Sequence, residues 1–330
     1  QSVSFSRNAE LGGSYPNSPM GAIALIRQTL LDADWYQQAW AAYEASGRAF
    51  LPPETSEALG TLEAAASGRQ PMLFETTREE EYMRAQAIAD EFGIEHWIRG
   101  SGHEYKILDI IRLANTSLVL PIDFPDAPGV ASPEAAIDVT LAELRHWYIA
   151  PENPGRLAAA GVEFAITADG LASEVDFLPN LQAAVSRGLS EEDALAALTT
   201  IPARMLGIDR THGTIAEGRV ANLVVADGDI FDDGEIRDVW VEGDRYGVLI
   251  PPRVDPRGTW ALMDEEGQEA ILEFRGTLNR LRGSIELEGT EIDLESVSAR
   301  TEAGRVWVSF ATEDLGFEGI AQLSGSINEN

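Results

Sequence analysis

The feature that most limits how this chain can fold is a beat, between Gln70 and Thr167, in which short apolar runs alternate with amphipathic stretches. Gln70–Thr76 (QPMLFET) is too short and too apolar for a surface helix and reads as a strand. Arg78–Phe92 reads as a helix with Ala85, Ile88, Ala89 and Phe92 on one stripe, and Gly93 sits where a helix C-cap belongs. The beat continues with strand Glu95–Arg99, helix Tyr105–Ala114, strand Ser117–Ile122, helices Pro133–Trp147 and Asn153–Ala160, and strand Val162–Thr167. That last strand runs into Ala168–Asp169–Gly170. Helices over Phe177–Arg187 and Glu191–Met205 follow, the second with Ser190 and Asp193 spaced as an N-cap pair. Ahead of the beat, residues 18–48 and Ser56–Ser67 read as helices separated by Pro52 and Pro53.

Strands alternating with helices at this spacing imply βαβ units and a parallel sheet. Four such strands are legible, whereas a closed barrel needs eight. The sheet is therefore either open and doubly wound or part of a barrel whose remaining strands lie outside this chain. The edge before Gln70 is expected to be unpaired or covered only by the first two helices. From about Gly213 the pattern becomes all-β. Val220–Ala226 (VANLVVA), a turn at Asp227–Asp229 and Val239–Glu242 suggest a paired segment, and Gly-punctuated runs at Ala270–Phe274, Ser284–Leu287, Val306–Phe310 and Ile320–Ser324 follow. The expectation is an antiparallel unit with its own core around Trp260, Phe274, Trp307 and Phe310.

Composition removes several function classes. A formal net charge of −31 argues against nucleic acid as a partner, which needs clustered cationic side chains. The absence of cysteine excludes disulfides, thiolate metal sites and cysteine nucleophiles. No apolar run approaches the length of a membrane helix.

Gly188–Gly243 carries GLSEEDALAALTTIPARMLGI, GTIAEGRVANLVVADGDIF and IRDVWVEGDRY, and FAITADG precedes them. These segments, with YPNSPMGAIALIRQTLLDADWY and LPIDFPDAP upstream, resemble the amidohydrolase superfamily, in particular an imidazolonepropionase-like subgroup of long bacterial proteins. The resemblance implies the C-terminal half of a TIM-like (β/α) barrel within an α/β chain, with a small β-sandwich return segment and a C-terminal antiparallel β domain. The divisions expected are residues 1–212, 213–250 and 251–330. It also implies that the chain is part of a longer polypeptide that supplies the N-terminal half of the barrel, and a periplasmic or secreted location.

The resemblance further implies hydrolysis of a C–N bond of a small-molecule substrate, with a divalent metal, zinc, activating water in the full-length protein. On this sequence, Asp169 matches the metal-facing aspartate that also takes the water's proton. Glu75 ends the strand where family enzymes carry histidine, and His103 falls within a residue or two of another ligand position. Each has a plainer reading: Asp169 as a helix cap, Glu75 as a polar strand end, His103 as a loop histidine. Asp123 reads as a turn residue with lining of the same rim as its alternative, Lys106 as an ion-pair partner, and Glu174 and Asp176 as loop charges. His96 reads as structural, His146 as packed or exposed, and His212 as a turn residue. The alternative function is a catalytically silent barrel that serves as a structural or binding half of a larger amidohydrolase protein, a reading that the departure at Glu75 favours.

Overall fold

A computed structural model describes residues 1–6, 15–232, 234–248, 255, 257–263, 269–277, 280–287, 290–294, 298–302, 305–312 and 319–326. The chain divides into two compact units, Gln1–Ala216 and Glu217–Asn330.

The first unit is built on a parallel sheet of five strands: β1 (Ser2–Ser4), β2 (Met72–Glu75), β3 (His96–Arg99), β4 (Leu118–Pro121) and β5 (Phe164–Thr167), side by side in chain order. The four strands read from the sequence are all present. The edge before Gln70 is not unpaired, however: Ser2, Val3 and Ser4 run parallel to Leu73, Phe74 and Glu75. Three residues with serine at both ends carry no usable period, so β1 is invisible to pattern reading. Among the described residues the sheet has five parallel strands, with β1 and β5 as its edges.

Helices α1 (Pro19–Ala45), α2 (Glu57–Ala66), α3 (Glu79–Phe92) and α4 (Leu108–Ala114) precede β4. α5 (Pro133–Asp138), α6 (Leu141–Ile149) and α7 (Asn153–Ala159) lie between β4 and β5, and α8 (Phe177–Ser186), α9 (Glu191–Leu198) and α10 (Thr200–Met205) follow. Gly93 closes α3 in the left-handed conformation at φ 62°, and Ser190 caps α9 by accepting from the Asp193 amide. Two expected single helices are broken. Pro133–Trp147 divides because Thr140 builds a reciprocal capping box with Glu143 and starts α6 afresh. Glu191–Met205 divides at Thr199. The helix expected at Tyr105 begins as a short 3-10 turn, Glu104–Lys106, before α4.

Strand alternation sorts the sheet's faces. Met72, Phe74, Ile98, Leu118 and Phe164 are buried on one face, each 2% exposed or less. Leu73, Glu75, Trp97 and Arg99 project from the other, half-buried face, with Leu73 beside Trp97 and Glu75 beside Arg99 in the register.

In the second unit, β6 (Leu223–Asp227) pairs antiparallel with β7 (Glu235–Val241), as the sequence suggests, and β8 (Asp244–Gly247) adds a third strand. The remaining strands form two antiparallel sheets: β9 (Gly258–Met263), β10 (Glu269–Thr277), β11 (Arg280–Leu287) and β12 (Thr290–Leu294), and then β13 (Ser298–Glu302), β14 (Arg305–Ala311) and β15 (Ile320–Ser326). The expected aromatic core is only partly present. Phe274 is buried with Leu272, Leu281, Ile285 and Leu294, but Trp307 is 40% exposed and belongs to the other sheet. Alternation marks which residues share a face and not which face is covered. The side chain of Phe310 lies outside the described residues.

Candidate functional site

In parallel α/β sheets the carboxyl ends of the strands form the rim on which chemistry is mounted. At this rim the main event is an ion pair. Arg99, the last residue of β3, donates from Nε to the carboxylate of Asp169 and from Nη2 to the Asp169 carbonyl at 3.3 Å. The guanidinium is 19% exposed and the carboxylate 65%. Asp169 is fixed from its own strand as well, since its amide donates to Thr167 Oγ1 at 3.1 Å. Gly170 has φ +97°, and a side chain there would sit 3.2 Å from both Arg99 Nη2 and Asp123 Oδ2, so glycine is what lets these groups close on one point. The capping role open to Asp169 is taken by Ser173, which accepts from the Val175 amide. Glu174 and Asp176 lie in the following 3-10 turn.

The loop after β3 is built around a buried carboxylate. Glu104 is 3% exposed, yet its oxygens accept from the Ser101 amide at 2.5 Å, the Ser101 hydroxyl at 3.2 Å and the Asn153 amide nitrogen at 2.7 Å. Asn153 Oδ1 in turn accepts from the Tyr105 amide at 2.8 Å. Gly100 admits this arrangement, because a side chain there would meet Glu104 Oε1 at 2.8 Å.

On this frame His103 lies face to face with His146 of α6, ring centres 3.8 Å apart and planes 13° from parallel. Tyr105 Oη lies 3.2 Å from His146 Nδ1. Burial, and then the charges of His103 and Lys106, push the His146 imidazole down to about 4, with Glu79 opposing. Lys106 pairs with Glu79 at 3.0 Å, the ion-pair role expected from the sequence. Burial works to raise the Glu79 carboxyl, but its own backbone amide and the Lys106 ammonium outweigh that and hold it below the usual range.

Elsewhere the histidines do structural work. His96 packs edge-on against Phe74 and contacts the Ile94 carbonyl at 3.1 Å and Gln86 Oε1 at 3.3 Å. His212 contacts the Thr211 hydroxyl at 2.8 Å, just before the Gly213 turn. A cavity of about 500 Å³ lined by Ser2, Leu73, Trp97, Met205 and Leu206 lies at the amino ends of the strands, opposite the rim. Among the described residues its lining includes no acidic, basic or imidazole side chain.

The three residues singled out as ligands thus have different surroundings. Glu75 shares the half-buried sheet face with Arg99, Asp169 is held by Arg99, and His103 is stacked on His146. Among the described residues no three His, Asp or Glu side chains gather as a metal-holding group. A zinc centre needs about three converging protein donors. The donor set described here does not by itself fit a metal centre. Sequence reading missed Arg99, Glu104 and Asn153, and left His146 as packed or exposed. Arg99 was signalled by its place at the end of an apolar strand. His146 carried no signal, because it lies 41 residues from its partner Tyr105.

The sequence matches the amidohydrolase family over residues 87–259, more than half of the chain. A segment of 114 residues is 36% identical to an imidazolonepropionase of Chromobacterium violaceum, covering 32% of this chain and 28% of that protein. The crystal structure of an amidohydrolase from Thermotoga maritima superposes with a TM-score of 0.61 at 24% identity, covering 74% of this chain and 61% of that one. At that identity the likeness speaks for the fold alone. The chain spans less than two thirds of the length of either relative.

Proposed function

Because the chain belongs to the amidohydrolase family, we propose that the protein hydrolyses a C–N bond in a small, non-peptide or dipeptide-like substrate. The observation that carries this reading is Asp169, a carboxylate just past the end of β5 on the rim, directed at the end of β3 rather than at the helix that follows it. Water addition to a carbonyl carbon needs a group that takes the water's proton and returns it to the departing nitrogen. Asp169 is proposed for that role. A divalent metal, which the family resemblance implies, would require donors beyond those described here. The same resemblance supports a location outside the cytoplasm, checked by fractionating cells that express the protein.

A second reading is favoured by a specific contact. Arg99 neutralises Asp169, as expected of a barrel retained for structure or binding while another part of the protein does the chemistry. One experiment separates the two. Turnover of N-acyl amino acids and dipeptides by the full-length protein, with its metal content, is compared with that of Asp169→Asn. A fall of about a hundredfold or more supports catalysis at this rim. Unchanged turnover moves the chemistry elsewhere and leaves the silent rim in front.

A further inference from the structure

We infer that His103, backed by His146 and Tyr105, forms a hydrogen-bonding subsite that accepts the N–H of a neutral amide or lactam. The choice of ligand deepens the proposed C–N chemistry and rests on that reading; the geometry of the acceptor does not.

His103 Nδ1 lies 3.2 Å from the Ser101 carbonyl oxygen. A carbonyl can only accept, so Nδ1 carries a ring proton, and in its neutral form the imidazole then presents its lone pair at Nε2. That nitrogen has no hydrogen-bond partner among the described residues, and it is not shut away from solvent. The ring is held against swinging by the His146 stack, and its loop is pinned from below by Glu104 and Asn153. His146 adds an adaptable edge. Its Nδ1 contacts the Tyr105 hydroxyl, which can donate or accept, so His146 can answer a ligand with either character.

The surroundings select a neutral ligand. Lys106 is matched by Glu79, and Glu104 is spent on Ser101 and Asn153. The chain's net charge of −31 repels anions. A carboxylate also brings no proton for an acceptor nitrogen. A metal ion is poorly served, because nearly parallel rings send their lone pairs side by side instead of converging, and among the described residues no third donor joins them. An amide N–H supplies what His103 lacks.

The test uses long-range proton–nitrogen NMR of the full-length protein labelled at histidine, in which this chain contributes His96, His103, His146 and His212. Assignment comes from His103→Gln and His146→Leu. The expected result is His103 in the tautomer protonated at Nδ1, with its Nε2 resonance moving as 2-pyrrolidinone is added. N-Methyl-2-pyrrolidinone, which lacks the N–H, and acetate leave it in place. His146→Leu removes the stack and weakens the pyrrolidinone response about fivefold, while His96 and His212 keep their shifts and report an intact fold. His103 protonated at Nε2, or an equal response to the N-methylated ring or to acetate, overturns the inference. The readout is independent of turnover. A pyrrolidinone response without C–N hydrolysis sinks the proposed activity and leaves the subsite; hydrolysis without that response does the reverse.

Discussion

Arg99 at the end of β3 reaches across the neighbouring β4 to hold Asp169, donating to both its carboxylate and its carbonyl. One side chain therefore fixes the charge and the backbone of the loop that follows β5. Glu75 lies beside the same arginine in the register of β2.

The strength of that link is open to measurement by a double-mutant cycle of Arg99→Gln and Asp169→Asn. With the carboxylate 65% exposed, water screens the pair, and the coupling should be below about 1 kcal/mol. Chemical denaturation of the four proteins gives the number. A coupling above about 2 kcal/mol would show that the pair is far less hydrated than its exposure indicates.

Glu104 should be much less forgiving. Its two oxygens face three donors, and Glu104→Gln turns an amide NH2 towards at least one of them with no room to move away. The expected cost is about 2–3 kcal/mol, a melting point lower by roughly 5–10 °C in a unit of this size. Asn153→Leu should cost much of the same free energy and add little to Glu104→Gln. Additive losses would mean that the two side chains do not work as a pair.

These two sites show which parts of the molecule were readable in the sequence. The strands from Met72 to Thr167 announce themselves because each must be apolar where it lies under helices, as Phe74 and Ile98 do. The Gly93 and Ser190 caps follow from local backbone chemistry. β1 was not legible, since the pairing of Ser2–Ser4 is decided by a neighbour some seventy residues away in the chain. The same holds for the site. Asp169 stands out from its strand-end position, but its partner Arg99 and the meeting of His103 with His146 depend on how distant loops fold back. Residue type and spacing do not encode that.

Gly155 offers a test of how tightly α7 is seated. A side chain at this position would lie 2.6–2.8 Å from backbone atoms of Gly188 and Leu189, closer than any Cβ tolerates. Gly155→Ala must push α7 away, and with it Asn153 at the start of that helix. The expected loss is about 1–3 kcal/mol, seen as a melting point lower by roughly 3–10 °C. Loosening of Asn153 should also speed amide exchange at Ser101. Exchange unchanged at Ser101 would separate the seating of α7 from the loop after β3.

His146 makes stability depend on pH in a stated direction. In an unfolded chain histidine titrates near ~6.5, whereas here burial and the neighbouring His103 and Lys106 push His146 down to about 4, with Glu79 opposing. Between those two values the unfolded chain binds more protons than the folded one, so acid pulls towards unfolding. The contribution is fully present above about 6.5, is lost as the pH falls towards about 4, and levels off below that. Other groups also take up protons in acid, Glu79 among them, so the informative quantity is a difference between two proteins. His146→Phe keeps a flat ring for His103 to stack on and removes the titration. The gap in unfolding free energy between wild type and this variant should shift steadily in the variant's favour as the pH is lowered from 6.5 to 4, and stay constant from 7 to 8. Parallel profiles across the acid range would mean that His146 takes up its proton as easily in the folded protein as in the unfolded chain, and that the stack does not exclude a second charge.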